Sequence, residues 1–132
     1  MKQFTLGKKE RLKSRKQIEQ LFDNGQRFSV STMRILYSFQ NCPSTVKPQL
    51  RAGFVASSRN FKTAVDRNRI KRLIKEAWRL QKNELEKTLY EQTLNLNVFF
   101  IYAGRDLPAY DDIYSNMKKI ILKLHDISNK VE

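Results

Sequence analysis

The stretch AVDRNRIKRLIKEAWRL, residues 64–80, places six cations within thirteen positions: Arg67, Arg69, Lys71, Arg72, Lys75 and Arg79. Only two acids, Asp66 and Glu76, stand among them. Like charge at this density destabilises a fold through self-repulsion unless a partner neutralises it. The chemistry such a group offers is phosphate binding, because each Lys or Arg that neutralises a phosphate releases a counterion. At roughly 100° per residue and with Ile70 as origin, Leu73, Ile74, Ala77 and Leu80 fall within about 80°, forming an apolar face. Asn68, Lys71, Arg72, Lys75, Arg79 and Lys82 lie opposite, between about 100° and 200°, while Arg69 lies near Glu76 and Arg67 near Trp78. A merely solvated helix face interleaves both signs. Strand-like segments flank this helix on both sides, which does not fit a helix-turn-helix reader of DNA, so RNA is the favoured polyanion.

The elements that must position this helix are readable around it. Ser14-Arg15-Lys16-Gln17 matches a capping box, with a hydroxyl at the cap and an amide three residues on. Ile18, Leu21 and Phe22 follow at helical spacing and Asn24-Gly25 supplies a stop, which predicts a helix over 15–23. MRILYSFQ (33–40) and LRAGFVASS (50–58) predict strands around the proline-bearing loop NCPSTVKPQ, and a short extended piece near Arg27–Ser29 adds a third pairing segment. The basic helix is expected over 66–86, with Asp66 as its cap. LNVFFIYAG (96–104) reads as a strand buried on both faces. A last helix is expected over 110–126, with Ile113, Met117, Ile120, Ile121 and Leu124 on one face. Its Asp111 and Asp112 in the first turn, and Lys118, Lys119 and Lys123 later, suit the helix dipole. The order α-β-β-β-α-β-α predicts an α+β two-layer sandwich, with helices on a four-stranded sheet.

Composition bounds the function. At 132 residues the chain is read as a single domain, 1–132, with residues 1–13 as a basic N-terminal arm. An arm this basic and poor in apolar residues is expected to order on binding. The net charge of +13 is unevenly placed. Residues 1–82 hold 20 Lys/Arg against 5 Asp/Glu, whereas residues 83–132 hold 6 against 8. Charge spread for solubility would not divide the chain this way; a nucleic-acid-binding face does. No apolar run approaches the ~20 residues of a membrane span, and no apolar stretch follows the N-terminal charges as in a secretory signal. A single cysteine, Cys42, fits a reducing compartment, and a cytoplasmic location is expected. Cys42 has no His or Cys at metal-ligand spacing, so no metal site is expected. Phe39, Phe54, Phe99 and Phe100 are read as core, Trp78 as packing under the Arg67 guanidinium, and His125 as a surface or helix-end residue.

The string Ala64-Val65-Asp66-Arg67-Asn68-Arg69-Ile70-Lys71-Arg72-Leu73-Ile74-Lys75-Glu76-Ala77 resembles the signature of the bacterial ribonuclease P protein subunit, an RNR segment followed by IKR. The similarity extends to Arg11-Leu12-Lys13-Ser14, Leu21-Phe22, Tyr37, the run from Arg51 to Arg59, and the Val98–Ala103 strand. It covers nearly the whole chain. The resemblance implies a left-handed β-α-β crossover around the basic helix, where general handedness rules favour a right-handed one. It also implies a division of labour. A large RNA hydrolyses precursor tRNA with Mg²⁺, held mainly by that RNA and its substrate, and releases the 5′ leader. The protein assists, needing neither a tightly bound metal nor catalytic side chains of its own.

Carried over by position, Arg67, Asn68, Arg69, Lys71, Arg72 and Lys75, with Arg79 on the same stripe, would meet the catalytic RNA. Ile18, Phe22, Ile35, Tyr37 and Val55 would line a cleft for the precursor-tRNA leader, and Arg59 would sit where its phosphates pass. Aromatic platforms beside a basic groove are how single-stranded nucleic acid is generally held. Two positions depart from the family pattern. Ile18 stands where a second cleft aromatic is frequent, and Ser58 replaces one of a usual basic pair. The partners implied are the catalytic RNA and precursor tRNA, with no membrane and no obligatory protein partner. Two other classes stand beside this reading. One is a basic ribosomal protein or RNA chaperone that leaves precursor cleavage unaffected. The other is a metal-dependent nuclease using Asp106, Asp111 and Asp112, although helix capping and the dipole explain Asp111 and Asp112 equally well.

Overall fold

The computed structural model describes residues 15–43 and 45–130. The elements are α1 (Arg15–Asn24), β1 (Gln26–Val30), β2 (Met33–Asn41), β3 (Leu50–Ala56), α2 (Ala64–Gln81), α3 (Asn83–Gln92), β4 (Leu94–Tyr102) and α4 (Tyr110–Lys130). The expected α+β architecture is present, with one helix more than expected. The proposed Ser14 cap and the basic arm lie outside the described residues.

The four strands form one mixed sheet in the order β1-β2-β4-β3. β1 and β2 make an antiparallel hairpin, turned by Ser31 in the left-handed region at φ 53°. β4 pairs antiparallel with β2, from Met33 opposite Tyr102 to Asn41 opposite Leu94, and parallel with β3. A parallel pair needs a crossover, and here the basic helix supplies it.

Period-two alternation divides the sheet into two unlike faces. On one, Met33, Ile35, Tyr37, Ala52, Val98, Phe100 and Tyr102 form the main core with α2, α3 and α4. On the other, Leu36 and Phe99 join Leu21 of α1, with Ile18, Val55 and Ile101 packed around them. Leu21 is the only fully buried side chain of α1. Gly25 closes that helix, its N–H donating to the Leu21 carbonyl at 3.0 Å. A Cβ at Gly25 would stand 2.5 Å from that same carbonyl oxygen, so an alanine must displace the helix end. Gly25→Ala is therefore expected to destabilise the protein by about 1–3 kcal/mol, as measured by urea unfolding.

The basic helix differs from expectation at both ends. Its cap is Thr63, not Asp66: the Thr63 hydroxyl accepts from the Asp66 N–H, leaving Asp66 as the acid of the first turn. At the far end α2 stops at Gln81, and α3 begins after Lys82, burying Leu85 and Leu89. Thr93, left-handed at φ 51°, terminates α3. Lys82, expected on the cationic stripe, is instead only 3% exposed, and its ammonium pairs with Glu86 at 2.6 Å. The chain redirects at this junction, so the projection of one straight helix does not apply to Lys82. Trp78 is buried against Phe100, ring centroids 5.0 Å apart. It does not lie under Arg67, whose Nη1 donates to the Phe61 carbonyl at 2.7 Å.

Candidate nucleic-acid interface

Two polar surfaces stand on this scaffold. The first is the outer side of α2. Ile70, Ile74, Ala77 and Trp78 turn into the core, and this leaves Asn68, Arg69, Arg72 and Lys75 exposed, with Arg67, Lys71 and Arg79 half-buried. The seven are not equivalent. Arg79 forks onto Glu76, Nε to Oε2 at 3.2 Å and Nη2 to Oε1 at 2.5 Å, so its charge is largely answered within the helix. Arg67 spends one guanidinium donor pinning the 57–63 loop to the helix. Among the described residues, Arg69, Lys71 and Arg72 have no carboxylate in ion-pair range. They form the uncompensated centre of the stripe. The 18 residues of α2 give it a length of about 27 Å.

The second surface is the sheet face that α1 only partly covers. Phe22 is 45% exposed and rests edge-on against Phe99, ring centroids 5.7 Å apart. Ile18 and Val55 belong to the same apolar cluster. The structure thus brings together Ile18, Phe22 and Val55. It does not bring Ile35 and Tyr37 to them. Both are on the opposite side of β2, Ile35 fully buried and Tyr37 8% exposed, within the core beneath the other helices. Burial holds the Tyr37 phenol above its ordinary pKa, and its ring packs between Phe28 and Phe39. The apolar β2 residue that faces α1 is Leu36, and Phe99, read as core from sequence, is the aromatic floor beneath Phe22. Asn41, Gln40 and Ser38 continue β2 toward more open space.

Three arginines on this face were not singled out from sequence. Arg34 and Arg51 alternate with Leu36 and Val55 respectively, and Arg27 pairs with Leu36 across the hairpin. Arg27 also donates from Nη2 to the Phe22 carbonyl at 3.1 Å, which fixes a cation at the C-terminal end of α1. The strand pattern RILYS carried a signal for Arg34, since it lies two residues from Leu36 on the same face. Arg59 is exposed on the turn after β3, its N–H held by the Ser57 hydroxyl. The arrangement is an apolar floor with one raised aromatic ring and guanidinium groups around it. Such a surface can stack a base while neutralising its backbone.

Asp106, Asp111 and Asp112 form no comparable site. The Asp106 carbonyl accepts from the Tyr102 hydroxyl at 2.8 Å, tying the loop after β4 to the sheet, while Asp111 and Asp112 lie in the first turn of α4. Among the described residues no group of three His, Cys, Asp or Glu is placed to hold a metal ion. No helix among them is long and apolar enough to cross a membrane.

The chain is similar to known proteins in sequence and in fold. The family model described as Ribonuclease P matches residues 6–125. The ribonuclease P protein component of Porphyromonas gingivalis is 30% identical over 121 residues, covering 92% of this chain and 87% of that protein. That of Chlorobaculum tepidum is 38% identical over 74 residues, covering 54% of this chain and 47% of that one. The fold matches the solved structure of the Staphylococcus aureus RNase P protein with a TM-score of 0.61 at 19% identity, over 87% of this chain and 94% of that one. With the sequence match running through the basic helix and both sheet faces, the chain belongs to the ribonuclease P protein family.

Proposed function

We propose that this chain is the RNA-binding accessory subunit of ribonuclease P, acting in removal of the 5′ leader from precursor tRNA. The observation that carries this reading is the uncompensated group Arg69, Lys71 and Arg72 on a helix whose other side is locked into the core. Hydrolysis falls to the RNA subunit, and Mg²⁺ belongs to that RNA and its substrate. The protein contributes fixed positive charge and a groove. Catalytic RNA and precursor are both polyanions, and cations held rigidly between them offset a repulsion that free Mg²⁺ must otherwise screen. The face beside α1, with Phe22 over Phe99, takes the unpaired leader.

The test is cleavage of an end-labelled precursor tRNA at low Mg²⁺ by protein alone, by a bacterial ribonuclease P RNA alone, and by both together. Correct 5′ cleavage only in the combined reaction is expected. Binding without stimulation would instead favour a chaperone-like role, and cleavage by protein alone would return attention to its carboxylates. A second expectation concerns the groove. Phe22→Ala removes a platform worth about 1–3 kcal/mol per stacked base, so affinity for a leader-bearing precursor should fall about 5- to 150-fold. Affinity for mature tRNA lacking the leader should not change in the same titration.

A further inference from the structure

Away from the α1 face, the helix layer carries an aromatic pair at the seam between α2 and α4. Tyr110 and Tyr114 stand one turn apart at the start of α4, ring centroids 6.0 Å apart and tilted by 51°. Ile113 and Met117 beside them turn into the core, whereas Tyr114 is 39% exposed. The other exposed positions around it, Asp111, Ser115 and Lys118, are polar. The ring is nevertheless fixed in place. The Tyr114 carbonyl accepts from the Gln81 side chain at 3.1 Å, which ties the first turns of α4 to the last turn of α2. Beside it, the Tyr110 hydroxyl is shut off from solvent and meets no hydrogen-bond partner among the described residues, so shape alone seats that ring.

The surrounding charges select the partner. Arg79, the last cation of the α2 stripe, lies within electrostatic reach of the Tyr110 phenol, so the stripe runs up to the tyrosine pair. Its guanidinium is forked onto Glu76, the only acid of α2 beyond its first turn, and cancels it. Lys118 stands one turn beyond Tyr114 on the same side of α4. It is exposed and, among the described residues, has no carboxylate in ion-pair range. Asp111 is the acid on the other flank, and it lies in the first turn, where the helix N-terminus answers its charge. A fixed, partly exposed ring between the cations of two helices suits a base whose phosphates pass on either side. An apolar peptide would gain nothing from those cations.

We infer that Tyr114 stacks on an unpaired base of the RNA that the α2 stripe binds, with Lys118 on the adjoining phosphate, so that the RNA-binding surface crosses the seam from α2 onto α4. The inference rests on the reading of α2 as the RNA-binding helix. Stacking and ion pairing leave different signatures. A phosphate contact contributes about 0.7–0.9 to the slope of log K against log salt, and an uncharged ring contributes nothing to it.

The test is binding of the full chain to a bacterial ribonuclease P RNA, without precursor tRNA, at several KCl concentrations. Tyr114→Ala should lower affinity at least about fivefold at every salt concentration and leave the slope unchanged. Tyr114→Phe should bind as the wild type does, and Lys118→Ala should make the slope shallower by about 0.7–0.9. Tyr114→Leu keeps an apolar side chain at the seam but not a flat ring, so it should lose affinity as alanine does, and it decides the matter should Tyr114→Ala fail to fold. Wild-type affinity in Tyr114→Leu, or a loss that vanishes at high salt, overturns the stacking contact. The α2 reading then stands if alanine at Arg69, Lys71 and Arg72 together still weakens binding, and falls with it if that variant also binds as the wild type does.

Discussion

Trp78→Ala is expected to lower the unfolding free energy by about 3–5 kcal/mol, the range for deleting a buried aromatic side chain. Trp78 is 1% exposed and joins α2 to the sheet through Phe100, which in turn stacks on Phe54 of β3 at 5.4 Å and 11°. The tryptophan thus locks the basic helix to the two strands between which it crosses. A domain of this size has about 5–15 kcal/mol in all, so the variant would be left close to unfolding. Trp78→Phe keeps the contact with Phe100 and should lose much less. Urea denaturation followed by circular dichroism checks both, and an unchanged midpoint for Trp78→Ala would disprove the packing argument.

The second large effect is on RNA binding. Replacing Arg69, Lys71 and Arg72 together with alanine should weaken binding to a ribonuclease P RNA at least about tenfold. It should also make the slope of log K against log salt shallower by roughly 2–3, since each phosphate contact contributes about 0.7–0.9. Filter binding at several KCl concentrations measures both quantities. Arg79→Ala is the internal control: its guanidinium is already forked onto Glu76, so its loss should change the slope little. If Arg79→Ala matched one third of the triple variant's effect, the charge count along the helix would matter and its local pairing would not.

The sequence made α2 legible because its apolar and cationic positions separate cleanly at 3.6-residue spacing, and the RNR string made the family legible as well. The end of the helix was not legible. Residues 82–92 contain neither Gly nor Pro, and the left-handed cap of α3 falls on a threonine, Thr93, where a glycine would have advertised it. The inward turn of Lys82 follows from that hidden break.

The cleft was half legible for a different reason. Phe22 and Val55 lie together on the α1 side of the sheet because α1 has a single apolar ridge and Val55 alternates to that face of β3. In MRILYSFQ apolar residues occupy both faces of the strand in succession, Ile35 and Tyr37 on one and Leu36 on the other. Alternation alone does not tell which set faces α1. Only the pairing of Leu36 with Phe99 across the sheet resolves the register of faces.

The strand order has a consequence during synthesis. β3 borders the sheet only through β4, and Tyr102, where β4 ends, follows Ala56, where β3 ends, by 46 residues. At about 5–20 residues per second that separation lasts roughly 2–9 s on the ribosome. From Gln81, for the last 21 residues of this interval, the nascent chain holds β3 and the whole basic helix without the strand they pack on, and residues 1–82 carry 20 of the 26 Lys and Arg. It is a polycation before it is a fold. A polyanion that neutralised α2 at this stage would relieve the repulsion that folding must otherwise overcome.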